Sequence, residues 1–176
     1  QLRDRAGVRH TLRSLGLMMW HQGRHDDALR TIDEALALDR EHRDFSGIVG
    51  DLVGRGAVLK SKGDLAGSQA VLEDALELSQ RELGGDQELP GGLKLPYILQ
   101  GLANVHRERG NSERALALLR EALATCESKH LPVQASYHRT TIAHILLQQG
   151  KLEESVETYR AAVTAARRAR YSPGLS

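Results

Sequence analysis

The sequence predicts an all-α fold built from about four helix hairpins, and two observations predict it. Leu and Ala contribute 28 and 20 of the 176 residues, whereas only six residues are aromatic, and this balance favours helices over β-sandwiches and barrels. The second observation is an internal repeat. A glycine followed by a polar or charged residue recurs with spacings of 40, 47 and 40 residues, at Gly23, Gly63, Gly110 and Gly150.

Small residues surround each of these glycines at fixed positions. One lies seven positions before the glycine, another lies five positions after it, and an alanine always lies twelve positions after it. The three columns are Gly16, Gly56, Ala103 and Ala143; Ala28, Ser68, Ala115 and Ser155; and Ala35, Ala75, Ala122 and Ala162. Because small side chains let two helices approach closely, each repeat is interpreted as a helix hairpin that turns at its glycine.

Apolar residues on both sides of each glycine follow the i, i+3, i+4, i+7 spacing of a helix. The glycine can end the first helix in the left-handed conformation, and the polar residue after it can begin the second. The seven extra residues between the second and third repeats predict a loop at 84–93. The expected helix pairs are 9–22 and 25–40, 47–62 and 65–82, 95–109 and 112–128, and 134–149 and 152–170.

The repeat also reaches the start of the chain. The pattern Arg-Asp-x-x-Gly at 3–7 recurs at 43–47, in the same place relative to the next repeat. Residues 1–8 are therefore interpreted as the tail of a preceding repeat, and the chain as a fragment of a larger protein. The repeats are predicted to cover 9–46, 47–83, 95–132 and 134–171.

The first repeat resembles the tetratricopeptide repeat (TPR). The residues that carry the resemblance are Leu12, Leu15, Gly16, Met19, Gly23, Ala28, Ile32, Ala35 and Leu38. The usual TPR unit has about 34 residues, whereas these repeats are near 40, and the longer form with its lead-in is similar to arrays in bacterial SARP-type and LuxR-type regulators and STAND signal-transduction ATPases. The resemblance implies a right-handed superhelical solenoid of about four hairpins, attached to an output domain that it does not identify.

Composition excludes several classes of protein. The 24 Lys and Arg nearly cancel the 23 Asp and Glu, so the chain lacks the charge expected of a dedicated nucleic-acid binder. No apolar run approaches the roughly 18 residues of a membrane span. The single cysteine, Cys126, rules out an internal disulfide framework and suits a cytoplasmic location.

No motif assembles an enzyme site. The segment 54–61 ends like a phosphate-binding loop, but Leu59 stands where that loop needs glycine before the lysine. His21 and His25 have the spacing of a metal-binding pair, yet Gly23 between them breaks the shared helical face. We expect a non-enzymatic protein without metal or cofactor.

Two arginines depart from the pattern, since Arg55 and Arg139 stand where the first repeat has Leu15 and Leu12. A buried arginine needs a carboxylate or several acceptors, and Asp51, one turn before Arg55, is a candidate partner. A side chain that extends its charged end to solvent fits the pattern equally well. The alternative is a charge that faces a ligand.

Binding is expected on the first helices, which line the concave wall in a TPR-like stack. The candidate residues are Arg13, Trp20, His21, Lys60, Tyr97, Gln100, Asn104, Arg107, Tyr137, Thr140 and His144. This set is cationic, amide-bearing and aromatic, which suits an acidic or C-terminal peptide segment or another domain of the parent chain. Two alternatives stay open: Trp20 packs against an adjoining hairpin, or Asn104 is a surface amide without a partner.

The sequence therefore predicts a protein or peptide interaction scaffold, the regulatory or sensory segment of a larger bacterial regulator. The alternative is a receptor for a small signalling peptide or metabolite in the groove. Chaperone-tail binding is not expected, because Arg13 and Leu17 stand where such family members carry Lys and Asn. Val156, Tyr159 and Val163 lack a covering helix in sequence, which predicts a homodimer through the C-terminal repeat or a missing cap.

Overall fold

Eight helices account for almost all of the backbone in the computed structural model, which describes residues 2–83 and 94–171, with side chains over 7–82 and 95–167. They are α1 (Leu2–His21), α2 (His25–Glu41), α3 (Phe45–Ser61), α4 (Leu65–Leu83), α5 (Lys94–Glu108), α6 (Ser112–Ser128), α7 (Pro132–Gln148) and α8 (Leu152–Tyr171). No strand occurs in these ranges. The predicted all-α repeat fold is confirmed, and the loop expected at 84–93 lies outside the described residues.

Seven of the eight helices begin and end within two residues of their predicted bounds. The exception is α1, whose predicted start at residue 9 is wrong because the helix begins at Leu2. Residues 2–8, interpreted from sequence as the tail of a preceding repeat, form its first turns. The same lead-in explains the start of α3, where the Asp44 carboxylate accepts a hydrogen bond from the Gly47 N–H at 2.9 Å.

All four turn glycines adopt the left-handed conformation, with φ of 76°, 85°, 80° and 76° in chain order. At the first turn the N–H of Gly23 donates to Trp20 O at 2.9 Å, and the next N–H donates to Met19 O at 2.9 Å. These bonds satisfy the last carbonyls of the first helix and direct the chain into the second. In the turns between one hairpin and the next, the residues in the left-handed conformation are Arg43 and His130, with φ of 52° and 54°.

The columns of small residues lie where the two helices of a hairpin cross. A Cβ added to Gly16 would stand 2.8 Å from Ile32 Cγ1, and one added to Gly56 would stand 2.8 Å from Leu72 Cγ. At the matching position of the second helix, the buried Ser68 hydroxyl donates to Gly56 O at 2.8 Å. Backbone contact at the crossing is therefore as close as the sequence predicts.

The chain divides into two compact units, unit 1 (Gln1–Lys94) and unit 2 (Leu95–Ser176). In unit 1, Ala28 and Ile32 of α2 form a buried cluster with Val58 of α3, and Met19 and Trp20 of α1 pack against it. In unit 2, α7 packs against both α6 and α8. Among the described helices, none is long and apolar enough to cross a membrane.

Candidate functional site

Arg13, expected on the binding surface, is held inside unit 1. Its Nε donates to Asp51 Oδ1 at 2.6 Å and its Nη2 donates to Asp39 Oδ2 at 2.7 Å. The two aspartate side chains are 0% and 1% exposed, whereas that of Arg13 is 29% exposed. Arg9 adds a second cation, with its Nε 3.0 Å from Asp39 Oδ1. Arg13 therefore joins α1 to α2 and α3.

The charges of this cluster affect one another strongly. The pKa of Asp51 is raised to about 6, because burial and the neighbouring Asp39 raise it by more than the hydrogen bond and charge of Arg13 lower it. The pKa of Arg13 is also raised: burial lowers it, but the hydrogen bond and charge of Asp51 and the charge of Asp39 outweigh burial. A Cβ at Gly47 would overlap the Asp39 carboxylate, so glycine is needed where α3 passes this group.

Trp20 has a structural position as well. Its Nε1 donates to the Ser61 hydroxyl at 2.8 Å, and its ring lies 4.8 Å from that of the exposed His21. Because the indole also packs on the cluster around Ile32 and Val58, the alternative in which it contacts an adjoining hairpin is confirmed. Lys60 lies partly buried in the same part of α3.

The two arginines that replace leucines both form ion pairs. Arg55 Nε donates to Asp33 Oδ1 at 2.9 Å, so the ion pair is confirmed but the candidate partner Asp51 is wrong. The reason is that Asp51 faces α1 and forms its ion pair with Arg13 of that helix. Arg139 pairs with Glu127.

Unit 2 contains a chain of neutral hydrogen bonds between α5 and α7. His138 Nδ1 lies 2.9 Å from Gln100 Oε1, and Gln100 Nε2 donates to Asn104 Oδ1 at 3.2 Å. His138 is 3% exposed and Gln100 is 7% exposed. Burial lowers the pKa of His138, so the ring is neutral at pH 7 and its Nδ1–H donates to Gln100.

This order of donors and acceptors fixes the Asn104 amide. Because Asn104 Oδ1 accepts from Gln100, its Nδ2 keeps two N–H groups for another acceptor. Asn104 is partly exposed. His138 was not among the predicted site residues, although its place in the repeat, twelve positions before the turn glycine as for Asp51, could have indicated it.

Exposed aromatic and polar side chains lie on the two helices that this chain of hydrogen bonds joins. Tyr97 on α5 is 53% exposed and Tyr137 on α7 is 60% exposed. Thr140 and His144 are exposed on α7, and the partly exposed Arg107 has no carboxylate partner within residues 95–167. We call the surface formed by these residues the α5–α7 face; its members are Tyr97, Asn104, Arg107, Tyr137, Thr140 and His144.

The α5–α7 face has a positive character. α7 contains no acidic residue, and the only acid in α5 is Glu108 at its end. No group of three His, Cys, Asp or Glu within the described ranges could hold a metal ion. The segment 54–61, which resembles part of a phosphate-binding loop, lies inside α3. The face can therefore offer hydrogen-bond donors, a cation and aromatic surface.

Comparisons with known proteins agree with this fold. The chain is similar to BtubC (BKLC) from P. vanneervenii, at 16% identity and a TM-score of 0.78, over 98% of this chain and 69% of that one. It is similar to Rap protein complexed with Competence and Sporulation Factor, at 16% identity and a TM-score of 0.81, over 93% of this chain and 44% of that one. A putative kinesin light chain from Podospora anserina with TPR-like repeats aligns at 17% identity and a TM-score of 0.70, over 92% of this chain and 75% of that one.

The sequence itself carries a family signature over nearly its full length. No curated protein matches this sequence. Residues 3–174, however, match the family described as the MalT-like TPR region. The TPR-like fold supports a role as a protein-interaction scaffold. The chain belongs to the MalT-like TPR family.

Proposed function

We propose that this chain is a non-enzymatic scaffold that binds a protein or peptide partner through the α5–α7 face. The proposal includes its place as the regulatory or sensory segment of a larger cytoplasmic bacterial regulator, as the resemblance to SARP-type, LuxR-type and STAND arrays implies. The observation that supports the binding site is the partly exposed Asn104 amide, whose Oδ1 accepts from Gln100 so that its two N–H donors are left for another acceptor.

A fixed amide binds a partner at lower entropic cost than a mobile one. Ordering a flexible side chain on binding costs about 0.5–1.5 kcal/mol. Asn104 is already restrained by the bond from Gln100, and Gln100 by the bond from His138. The Asn104 N–H groups are therefore suited to donate to a peptide carbonyl or to a carboxylate.

The composition of the face favours an acidic segment. Arg107 supplies a cation that can pair with a carboxylate, and no acid of α7 competes for it. Tyr97 and Tyr137 supply exposed aromatic area, the type of side chain that often dominates the binding energy of an interface. An acidic or C-terminal peptide segment, or an acidic surface of another domain of the parent chain, fits these groups.

A peptide library tests this assignment. The chain is incubated with two synthetic octapeptide libraries, one rich in Asp and Glu with a free C-terminal carboxylate and one rich in Lys with an amidated C-terminus, and bound peptides are quantified by mass spectrometry. We expect enrichment from the acidic library alone. Equal recovery from both libraries, or recovery from neither, would contradict the proposal.

Variants locate the binding surface. Arg107→Gln is expected to reduce recovery of acidic peptides about tenfold, which corresponds to about 1.4 kcal/mol. Its matched control is Arg120→Gln, which makes the same change at an exposed position of α6. Asn104→Asp keeps an acceptor for Gln100 but replaces the two N–H donors with a carboxylate oxygen, so it should also abolish enrichment. Unchanged recovery with both face variants would place the site elsewhere.

A second candidate is a receptor for a small signalling peptide or metabolite. It is supported by the likeness to Rap protein, which was solved as a complex with Competence and Sporulation Factor. A thermal-shift screen of short peptides and metabolites, compared with purified domains of the parent chain, separates the two. A rise in melting temperature with a small compound, lost in Tyr137→Ala, would favour this receptor over the scaffold.

A further inference from the structure

The α5–α7 face changes in chemical character along the helix axes. Tyr97 of α5 and Tyr137 of α7 each lie thirteen positions before their turn glycine. Asn104 and His144 each lie six positions before it, and Arg107 lies three positions before the turn glycine of α5. Two chain reversals separate α5 from α7, so both helices run in the same direction. The face therefore has aromatic groups toward the starts of the helices, polar groups in the middle and a cation toward the end of α5.

The buried bond between Gln100 and His138 shows that the two tyrosines lie at nearly the same height. His138 Nδ1 is 2.9 Å from Gln100 Oε1, so these residues lie side by side on the two helices. Tyr97 lies three positions before Gln100, and Tyr137 lies one position before His138. Because a helix rises about 1.5 Å per residue, the two tyrosines differ in height by about 3 Å.

Apolar area is concentrated at this end of the face. Tyr97 and Tyr137 are more than half exposed, and Val133, one helical turn before Tyr137, is 66% exposed. Among the described side chains of α5, α6 and α7, the other large exposed apolar residue is Leu147. We call Tyr97, Val133 and Tyr137 the apolar end. Its rings and methyl groups can bury an apolar side chain of a partner.

Arg107 lies at the opposite end of the face. It follows Tyr97 by ten positions, which places the two residues about 15 Å apart along the axis of α5. Leu147 occupies the position of α7 that matches Arg107, so no acid of α7 stands beside this cation. The carbonyl of Arg107 accepts from the Gly110 N–H at 3.0 Å, and this bond offsets part of the negative charge at the end of the helix. Arg107 is therefore placed to bind a carboxylate.

We propose that the α5–α7 face recognises a spacing: an apolar residue of the partner binds at the apolar end, and an acidic residue about four or five positions away binds Arg107. This inference rests on the proposed function and adds the sequence pattern of the partner segment. An extended chain rises about 3.3 Å per residue, so about 15 Å corresponds to about four or five residues. Asn104, seven positions after Tyr97, lies between the two ends and donates to a carbonyl of the segment.

The partner segment follows the helix axes rather than crossing from α5 to α7. A segment that crossed at the height of the tyrosines would contact the apolar end alone, and one that crossed at the height of Arg107 would contact that cation and Leu147. Only a segment laid along the helices contacts the apolar end, the Asn104 amide and the cation together.

Peptides with one leucine and one aspartate test the spacing. Their ends are acetylated and amidated, so that the aspartate is their single charge, and glycine and serine fill the other positions. The two residues are placed at every separation from adjacent to about eight positions, in both orders. Dissociation constants are measured by NMR titration of the isotope-labelled chain. We expect the tightest binding at about four or five positions in one of the orders, about tenfold tighter than for the adjacent pair.

Two variants separate the ends of the face. Tyr137→Ala should remove the advantage of leucine over serine in these peptides but keep that of aspartate over asparagine, and Arg107→Gln should do the reverse. The matched control is Leu152→Ala, because Leu152 at the start of α8 and Tyr137 are both 60% exposed. This control should bind the peptides like the wild type.

Failure of the spacing can be told apart from failure of the proposed function. If acidic peptides are enriched but bind equally well at every separation, the spacing is overturned and the acidic-segment scaffold is retained. Tyr137→Ala with an unchanged preference for leucine would overturn the spacing as well. If no acidic peptide binds, both the spacing and the proposed function are contradicted.

Discussion

Gln100 accepts a hydrogen bond from His138 at 2.9 Å, and this bond joins α5 to α7. The same two positions of the repeat are occupied in unit 1 by Arg13 and Asp51, which form a 2.6 Å ion pair between α1 and α3. At these two repeat positions each unit joins its two first helices, through a charged pair in unit 1 and through neutral groups in unit 2. In unit 1 the pair uses the charge of Arg13, whereas in unit 2 Asn104 keeps N–H donors for another acceptor.

Stability should depend on the ionisation of Asp51. Its pKa in the folded chain is about 6, above the value near 3.9 of an unfolded aspartate. The folded state therefore binds more protons between these values, so the contribution of Asp51 is fully present below about pH 4 and is lost as the pH rises through about 6. Urea denaturation across this window should show a loss of about 2–3 kcal/mol. Asp51→Asn, which resembles the protonated acid, should remove most of this pH-dependent loss. If the unfolding free energy of the variant falls with pH as steeply as that of the wild type, another group titrates.

His138 should give the opposite dependence on pH. Burial lowers its pKa in the folded chain, so its contribution is present above the unfolded value near 6.5 and falls as the pH drops below it. His138→Leu removes both the titration and the bond to Gln100, and it should cost about 1–3 kcal/mol at pH 7.5 because Gln100 Oε1 loses its donor. Urea denaturation in an Asp51→Asn background separates this effect from that of unit 1. A variant that is as stable as its background would show that Gln100 finds another donor.

Removing Arg13 should destabilise the chain far more than removing a surface arginine. Arg13→Met keeps much of the side-chain volume but leaves Asp51 without a cation and Asp39 with Arg9 alone. Breaking such a buried pair costs about 3 kcal/mol. The matched variant is Arg55→Met, whose partner Asp33 is half exposed, and a pair of that kind contributes below about 1 kcal/mol. Equal losses in chemical denaturation would mean that the Arg13 cluster is not the buried network described.

The repeat made the helices predictable, but it did not reveal which side chains bind one another. The helix bounds and the columns of small residues at the helix crossings follow from local spacing. Both were confirmed, except for the start of α1. The ion pair of Arg13 joins residues on different helices, 38 positions apart for Asp51, and a helical period reports which face a residue occupies rather than what it meets there. Comparing the same repeat positions in the two units would have helped. Arginine and aspartate occupy them in unit 1, and glutamine and histidine occupy them in unit 2, which indicates a bond between helices rather than a free binding group.

The turns between hairpins should gain stability from glycine. Arg43 and His130 have φ of 52° and 54°, a conformation that costs residues other than glycine about 1–2 kcal/mol. Glycine avoids this cost but loses about 0.5–1 kcal/mol through the entropy of the unfolded chain, so Arg43→Gly and His130→Gly should each stabilise by about 0.5 kcal/mol. The reverse change, Gly63→Ala, meets no neighbouring atom within 4 Å, so any loss reports backbone strain at its φ of 85° rather than a clash. Thermal denaturation of the three variants should show two gains and one loss; losses for all three would mean that Arg43 and His130 contribute contacts that outweigh the strain.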